Sequence, residues 1–107
     1  MNFKEKFKNI IKELDSLEIN NDFKHEELWK KEVQVVTEDI NETINYLKTE
    51  CTKDEFVWLS EIFSDVMQVV PSKEFIDELY VMAKKYPDVT KEYNIMSFID
   101  EASQYLK

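Results

Sequence analysis

The sequence lacks glycine and arginine altogether and holds one cysteine, one histidine and two prolines among its 107 residues. Without glycine, the chain cannot form the glycine-rich loop that cradles phosphate groups in nucleotide-binding proteins. Without arginine, it lacks a main side chain for contacts to nucleic acids. A single cysteine leaves no intrachain disulfide framework. These absences argue against nucleotide binding, direct nucleic-acid contact and disulfide stabilisation.

Long apolar stretches are missing as well. No uninterrupted hydrophobic run approaches the roughly 20 residues of a membrane-spanning helix. The N-terminal residues alternate Lys, Phe, Glu and Asn and contain no apolar segment of a signal peptide. Hydrophobic residues still make up 43% of the chain, which is enough for one modest core. We therefore expect a cytoplasmic protein without membrane contact, folded as a single domain over residues 1–107.

The charge is strongly acidic and unevenly placed, with a formal net value of −9. Residues 1–12 carry four lysines and one glutamate, whereas the rest of the chain carries ten lysines and 22 acidic side chains. An acidic surface repels nucleic acids and anionic lipids and speeds the encounter with basic partners. The alternative is that the acidity only maintains solubility. For the N-terminal lysines, we favour a solvated helix face over a membrane-surface role.

Hydrophobic residues recur at spacings of three and four throughout the chain, which is the period of an α-helix. No segment shows a competing alternation typical of a β-strand. The pattern predicts an all-α fold, a single compact helical domain of about five to six helices arranged as stacked α-hairpins. The predicted helices cover residues 3–17, 23–48, 53–70, 73–86 and 96–105, with a short helical turn at 88–93.

The helix ends carry recognisable capping signals. Asn2 and Ser72 are suited to the N-cap position, and Thr52-Lys53-Asp54-Glu55 has the pattern of a capping box. Pro71 and Pro87 are expected to end helices. Because the chain has no glycine, left-handed turn positions must fall to asparagine, as at Asn20, Asn21 and Asn94.

Catalytic and metal-binding candidates are few. His25 begins a segment similar to the start of a zincin helix, but Trp29 stands where the second histidine is needed. Cys51 precedes the cap at Thr52, where a helix N-terminus can lower the pKa of a thiol, but no histidine is close in sequence. We interpret His25 as a solvated residue and Cys51 as structural. The sequence therefore predicts no enzyme, no cofactor and no metal site.

One stripe along the second predicted helix mixes apolar and acidic side chains. Its members fall close to one line at about 100° per residue, and they are Leu28, Glu32, Val35, Asp39, Glu42 and Tyr46. Such a stripe suits an interface in which apolar side chains provide affinity and acidic ones steer a basic partner. The alternative is that Leu28, Val35 and Tyr46 simply pack under a neighbouring helix.

Carboxylates one helical turn apart give a second candidate surface. Glu61 and Asp65 have this spacing on the third predicted helix, as do Glu38 and Glu42 on the second. Like charges so placed destabilise a helix by roughly a few tenths of a kcal/mol, a cost that a binding role could justify. Both pairs are predicted to lie on solvated faces, and we add Glu61 and Asp65 to the candidate partner-binding residues.

The C-terminal half resembles a known family through four short segments. They are Trp58–Val66 (WLSEIFSDV), Ser72–Ile76 (SKEFI), Lys85–Asp88 (KYPD) and Tyr93–Ile95 (YNI). These segments are similar to small helical proteins encoded beside bacterial polymorphic toxins, the immunity proteins of contact-dependent growth inhibition systems. The similarity covers about half of the chain. It consists of helix-packing residues and a Tyr-Pro turn.

The resemblance implies a protein that binds and neutralises a cognate toxin domain in a stoichiometric complex. Toxins of this kind are commonly nucleases with a basic cleft, which an acidic immunity protein covers or locks from a neighbouring surface. The family supplies no shared motif that maps onto individual contacts, so the candidate residues come from the amphipathic pattern. The alternative function is a helical adaptor or regulatory protein that binds a peptide or a partner helix.

Overall fold

The computed structural model of the chain describes residues 2–16 and 22–106, and for Asp22 and Phe23 it describes the backbone alone. The predicted turn at Asn20 and Asn21 and the packing of Leu17 lie outside these residues. Within them the chain is entirely helical, which confirms the all-α class, and no strand is present. The helices are α1 (Phe3–Ser16), α2 (Asp22–Glu38), α3 (Ile40–Thr49), α4 (Lys53–Ser60), α5 (Phe63–Val69), α6 (Lys73–Lys85), α7 (Pro87–Glu92) and α8 (Ile95–Ser103).

The expected five to six helices become eight in the described residues, in part because the second predicted helix breaks at Asp39. This residue has an extended backbone, and its carboxylate accepts a hydrogen bond from the backbone N–H of Glu42 at 3.2 Å. Asp39 is thus the N-cap of α3. The buried hydroxyl of Thr43 donates to the carbonyl of Val36 at 2.8 Å and ties the two helices across the break.

The third predicted helix also divides, between Ser60 and Phe63. At the end of α4 the N–H groups of Glu61 and Ile62 donate to carbonyls three residues back, those of Trp58 and Leu59, at 3.2 and 3.0 Å. This tightening ends α4, and α5 restarts with the N–H of Val66 donating to the carbonyl of Ile62.

The predicted caps are confirmed where the structure describes them. Thr52 and Glu55 form a full capping box, with Thr52 N–H donating to Oε1 of Glu55 at 3.0 Å and Glu55 N–H donating to Oγ1 of Thr52 at 3.2 Å. The side chains of Asn2 and Ser72 accept from the first turns of α1 and α6. Asn94 has a φ of 54°, the left-handed conformation expected of asparagine in a chain without glycine.

Packing joins helices that are distant in sequence. Chain neighbours α1 and α2 pack against each other, but the other main contacts join α5 with α8, α6 with α8, and α3 with α6. This arrangement differs from the predicted stack of successive hairpins, because the C-terminal helix α8 packs on both α5 and α6 and α3 packs on α6. Its core holds large apolar side chains, among them Phe7, Phe56, Phe63 and Phe75.

Two large apolar side chains of α5 and α8 lie at the surface. Val69 ends α5 and is 60% exposed. Phe98 lies on the outer side of α8, whereas Ile95, Ile99 and Ala102 of the same helix are buried.

The basic N-terminal segment packs over part of the acidic remainder. Each of three α1 lysines reaches a carboxylate far along the chain: Lys4–Glu50 at 2.5 Å, Lys6–Glu38 at 3.1 Å and Lys8–Glu55 at 3.4 Å. Exposed pairs of this kind each contribute about 0 to 1 kcal/mol. Their main effect is on the surface charge, since α1 compensates acidic side chains of α2, α3 and α4 and leaves other carboxylates uncompensated.

Candidate functional site

The predicted stripe on the second helix is not one accessible surface. Leu28, Glu32 and Tyr46 are buried, so no partner reaches these three side chains in this conformation. The expectation that they share an exposed face is therefore corrected, and for Leu28 and Tyr46 the alternative of packing under neighbouring helices holds. Phe3 and Phe7 of α1 pack edge-on against the ring of Tyr46, with ring centroids 5.4 and 5.6 Å apart.

The remaining members of the stripe lie together near the break between α2 and α3. Val35, Asp39 and Glu42 line a shallow concavity of about 220 Å³ with Glu38 and residues of α1. Lys6 lines it too and pairs with Glu38. The carboxylate of Asp39 caps α3. The sequence predicts one continuous helix here, so this structural role was not expected. A basic partner would compete here with a lysine of the chain itself.

Glu32 occupies an unusual place for a carboxyl group. Its side chain is fully buried on the core-facing line of α2 between Leu28 and Val36. Neither carboxyl oxygen has a hydrogen-bond partner in the described part of the chain. Burial, reinforced by the negative charge of Glu61, raises the pKa of Glu32 to about 8. The group is therefore mainly protonated at neutral pH.

Glu61 and Asp65 do not share a surface. A continuous helix would place them one turn apart on one face, but the break between α4 and α5 separates their directions. Glu61 lines a groove beside α4 and α7, whereas Asp65 lines a different groove between α2 and α5. Both carboxylates are exposed.

The groove that contains Glu61 collects carboxylates from three parts of the fold. It measures about 500 Å³ and is lined by Asp15, Asp54, Val57, Trp58, Glu61, Val89, Glu92 and Tyr93. We call this set the acidic groove. Four of its eight residues are acidic and none is basic. It has the charge and the aromatic walls that suit a cationic side chain.

The carboxylates of the acidic groove are largely uncompensated. Asp15 accepts a hydrogen bond from the indole N–H of Trp58 at 2.6 Å, which fixes the Trp58 ring in the wall. Asp54, Glu61 and Glu92 have no ion-pair partner among the described residues. This differs from Glu38, Glu50 and Glu55, each of which forms an ion pair with a lysine of α1.

Of the residues that line this groove, only Glu61 is among the partner-binding residues predicted from the sequence. Asp15, Asp54 and Glu92 lie on α1, α4 and α7, far apart in sequence, so no local spacing marks them as a group. Tyr93, whose side chain is about half exposed, carried a signal only as part of the family resemblance. The grouping arises from the tertiary packing of α4 against α7.

The groove between α2 and α5 is more apolar. It measures about 490 Å³ and is lined by Glu26, Trp29, Lys30, Val33, Asp65, Gln68 and Val69. Trp29, Val33 and the exposed Val69 provide its apolar surface. His25, which stacks beside Trp29 with ring centroids 5.7 Å apart, lies in the first turns of α2. We call this concavity the α2–α5 groove.

The chemistry of Cys51 is that of a structural thiol. The side chain is buried, and this burial, with the charge of Glu55, raises the pKa of the thiol to about 12. The helix N-terminus at Thr52 therefore does not produce a reactive thiolate.

In residues 2–16 and 22–106, no three His, Cys, Asp or Glu side chains are grouped so as to hold a metal ion. None of the helices in the same residues has the length and apolar character needed to cross a membrane.

Comparisons with known proteins give no relatives for the chain. No family model, no curated protein and no solved structure matches it. The resemblance to immunity proteins therefore stays a prediction.

Proposed function

We propose that the protein binds a basic protein domain through its acidic groove and acts as an immunity protein that neutralises a cognate toxin. The observation that carries this proposal is the uncompensated charge of the groove, with four carboxylates, two aromatic rings and no basic residue among its described lining residues. A cationic side chain that enters would meet carboxylates from three parts of the fold and the rings of Trp58 and Tyr93. The proposed role is binding, without catalysis or a cofactor.

The distribution of charge over the molecule supports this choice of surface. Near α1, Glu38, Glu50 and Glu55 already have lysine partners, and Asp88 pairs with Lys53 at 2.7 Å. In the acidic groove the carboxylates of Glu61 and Glu92 are left to an external cation. A negative net charge speeds the approach of a basic partner, and the local cluster provides the place where that charge is concentrated.

The proposal is tested with the product of the neighbouring gene, co-expressed and purified with this chain. We expect a one-to-one complex in which the activity of the partner is lost. Removing two groove charges with Glu61→Gln and Glu92→Gln should weaken the complex by about tenfold, equivalent to about 1.4 kcal/mol. The dissociation constant is measured by isothermal titration calorimetry.

A matched control distinguishes the loss of groove charges from the loss of overall negative charge. Glu74→Gln with Glu101→Gln removes the same number of charges from exposed positions on α6 and α8 that line none of the described grooves. We expect this control to bind nearly as tightly as the wild type. If both double variants lose affinity equally, the acidic groove is not the binding surface.

The second candidate function, a helical adaptor for a peptide or a partner helix, is favoured by the α2–α5 groove. Trp29, Val33 and Val69 offer an apolar contact area there, and Val69 is the most exposed of the large hydrophobic side chains that the structure describes. Salt distinguishes the two functions, because an ionic complex weakens steeply with ionic strength and an apolar one does not. Loss of affinity in Val69→Asp, with no salt dependence, would favour the adaptor.

A further inference from the structure

A groove of opposite charge lies across α7 from the acidic groove. It measures about 400 Å³ and is lined by Tyr80, Ala83, Lys84, Pro87, Thr90, Lys91, Asn94 and Met96. We call it the α6–α7 groove. Two of its described lining residues are basic and none is acidic. In a chain with 23 acidic side chains and 14 lysines, this groove is a local reversal of the charge.

The walls of the α6–α7 groove follow the helical period. On both helices the lining residues have the spacing i, i+3 and i+4, which places each set on one helix face. The two sets are Tyr80, Ala83 and Lys84 on α6, and Pro87, Thr90 and Lys91 on α7. Each wall therefore carries one lysine at the equivalent position. The acidic groove uses other positions of α7, Val89 and Glu92, so the helix presents opposite charges to its two grooves.

Hydrogen bonds within the fold fix the shape of this groove. The hydroxyl of Thr90 is buried and lies 3.1 Å from the carbonyl oxygen of Ala83 and 2.8 Å from that of Tyr86, which ties α7 to the end of α6. The hydroxyl of Tyr80 donates to the carboxylate of Asp100 at 2.7 Å and ties the other wall to α8. A partner would therefore meet a preformed site and would not have to order it on binding.

The charged and apolar parts of the groove are both accessible. Lys84 and Lys91 are exposed, and neither has an ion-pair partner among the described residues. Pro87 is exposed as well, and Met96 is 41% exposed. Apolar surface between two separated cations suits an apolar side chain with a carboxylate on either side of it.

We propose that the α6–α7 groove binds an acidic segment of a protein partner. An apolar side chain of this segment would lie against Ala83, Pro87 and Met96. Carboxylates on either side of it would reach Lys84 on one wall and Lys91 on the other. The inference goes beyond the proposed function and does not depend on it, because it concerns a different surface and a ligand of opposite charge.

The overall charge of the chain argues against two other occupants. A second copy of the chain carries the same net charge of −9, and an anionic membrane carries negative charge over its whole surface, so both are repelled as they approach. A protein partner can be neutral or basic as a whole and still present one acidic segment. Such a partner gains the local attraction without the general repulsion.

The probe for the test is a blocked pentapeptide with a central leucine and two aspartates on each side, titrated into the isotope-labelled protein. We expect saturable shifts of the backbone amide signals of Lys84, Lys91 and Met96 in heteronuclear NMR spectra. The affinity should be weak, because exposed ion pairs each contribute little. Peptides with asparagine in place of aspartate, or with serine in place of leucine, should bind less tightly by about threefold to fivefold.

Two variants of the protein locate the binding. Lys84→Gln with Lys91→Gln should weaken binding of the aspartate peptide by about fivefold. The matched control, Lys12→Gln with Lys48→Gln, removes the same number of charges from exposed positions that line none of the described grooves. We expect this control to change the dissociation constant by less than about twofold.

Several results would overturn the proposal. Equal losses in the two double variants would show that overall charge, and not the groove, determines the affinity. Equal binding of the aspartate and asparagine peptides, or no saturable shift at the three amides, would contradict an acidic ligand. A dimer in sedimentation velocity that is lost in Lys84→Gln with Lys91→Gln would assign the groove to a second copy instead. These results are independent of Glu61→Gln with Glu92→Gln, so the proposed function is tested separately.

Discussion

Two buried glutamates, Glu55 in the first turn of α4 and Glu32 in the middle of α2, have opposite surroundings. Glu55 accepts from the backbone N–H of Thr52 at 3.0 Å, from the hydroxyl of Tyr46 at 2.8 and 2.9 Å, and from Lys8 at 3.4 Å. Glu32 is at least as deeply buried and accepts from no described residue. Burial alone therefore does not decide whether a carboxylate is stable inside this fold.

Position along the helix explains the difference. The first turn of a helix presents free backbone N–H groups and the positive end of the helix dipole, and Glu55 lies there. In the middle of α2 the backbone N–H groups already bond carbonyls four residues back, so none is available to Glu32. The Glu55 site is built to hold a charge, whereas the Glu32 site favours the neutral carboxyl. Substitutions at Glu55, Glu32 and Tyr46 test this contrast.

The largest effect is expected from Glu55→Ala. The substitution removes the reciprocal half of the capping box and leaves the buried hydroxyl of Tyr46 without its acceptor. We expect a loss of about 4 kcal/mol in the free energy of unfolding, from an unsatisfied buried group and a lost cap together. Chemical denaturation monitored by circular dichroism measures this. Asp54→Ala, in the same helical turn but exposed, should cost less than about 1 kcal/mol, and equal losses would contradict the assigned role of Glu55.

Glu32→Gln should have the opposite sign. The folded-state pKa of Glu32 is about 8, above its ordinary value of 4.5, so the unfolded chain loses this proton at lower pH than the folded one. The contribution of Glu32 to wild-type stability is therefore most favourable below about pH 4.5, falls as pH rises to about 8 and is level above that. At pH 7 we expect the variant to be more stable than the wild type by about 3 kcal/mol, and near pH 4.5 to be equal to it.

Denaturation at both pH values checks this expectation. Glu27→Gln, on the exposed side of the same helix, serves as the control and should change little at either pH. A gain in Glu32→Gln that is the same at both pH values would show that the charge of Glu32 is not its cause.

Much of the fold could be predicted because its signals are local. The helical period, the capping box of Thr52 and Glu55 and the left-handed Asn94 each depend on a few neighbouring residues, and each has its predicted place. The break at Asp39 had a signal too, since Asp39 and Glu42 have the spacing of an N-cap and its N3 partner. Because the apolar period continues through Ile44, the pattern nevertheless predicts one continuous helix across Asp39.

The rest depends on contacts between distant segments. No proline or capping side chain marks the break at Ile62, which is buried and has no side-chain cap. That break separates Glu61 from Asp65, so the second candidate surface could not be drawn correctly from the sequence. The acidic groove forms only where α1, α4 and α7 meet. The burial of Glu32 follows from helices packed on α2, and its spacing of four residues from Leu28 and Val36 places it on the buried line of that helix.

The smallest of the three stability changes is expected for the hydroxyl of Tyr46, a hydrogen-bond donor that Glu55 has and Glu32 lacks. Burial and the hydrogen bond to Glu55 raise the pKa of Tyr46, so the hydroxyl keeps its proton and donates it to the carboxylate. Tyr46→Phe keeps the packing against Phe3 and Phe7 but leaves Glu55 with fewer donors. We expect a loss of about 2 kcal/mol, because a buried hydrogen bond to a charged group is worth more than an exposed one.

The matched control for Tyr46→Phe is Tyr80→Phe, which removes a bond of similar length, 2.7 Å, from a hydroxyl to the exposed carboxylate of Asp100. Water replaces that donor at the surface, so its loss should cost less than about 0.5 kcal/mol. If both tyrosines give the same small change, Glu55 does not depend on its donors. The contrast with Glu32 would then lie in helix position alone, because the Thr52 N–H and the helix dipole would suffice to hold the Glu55 charge.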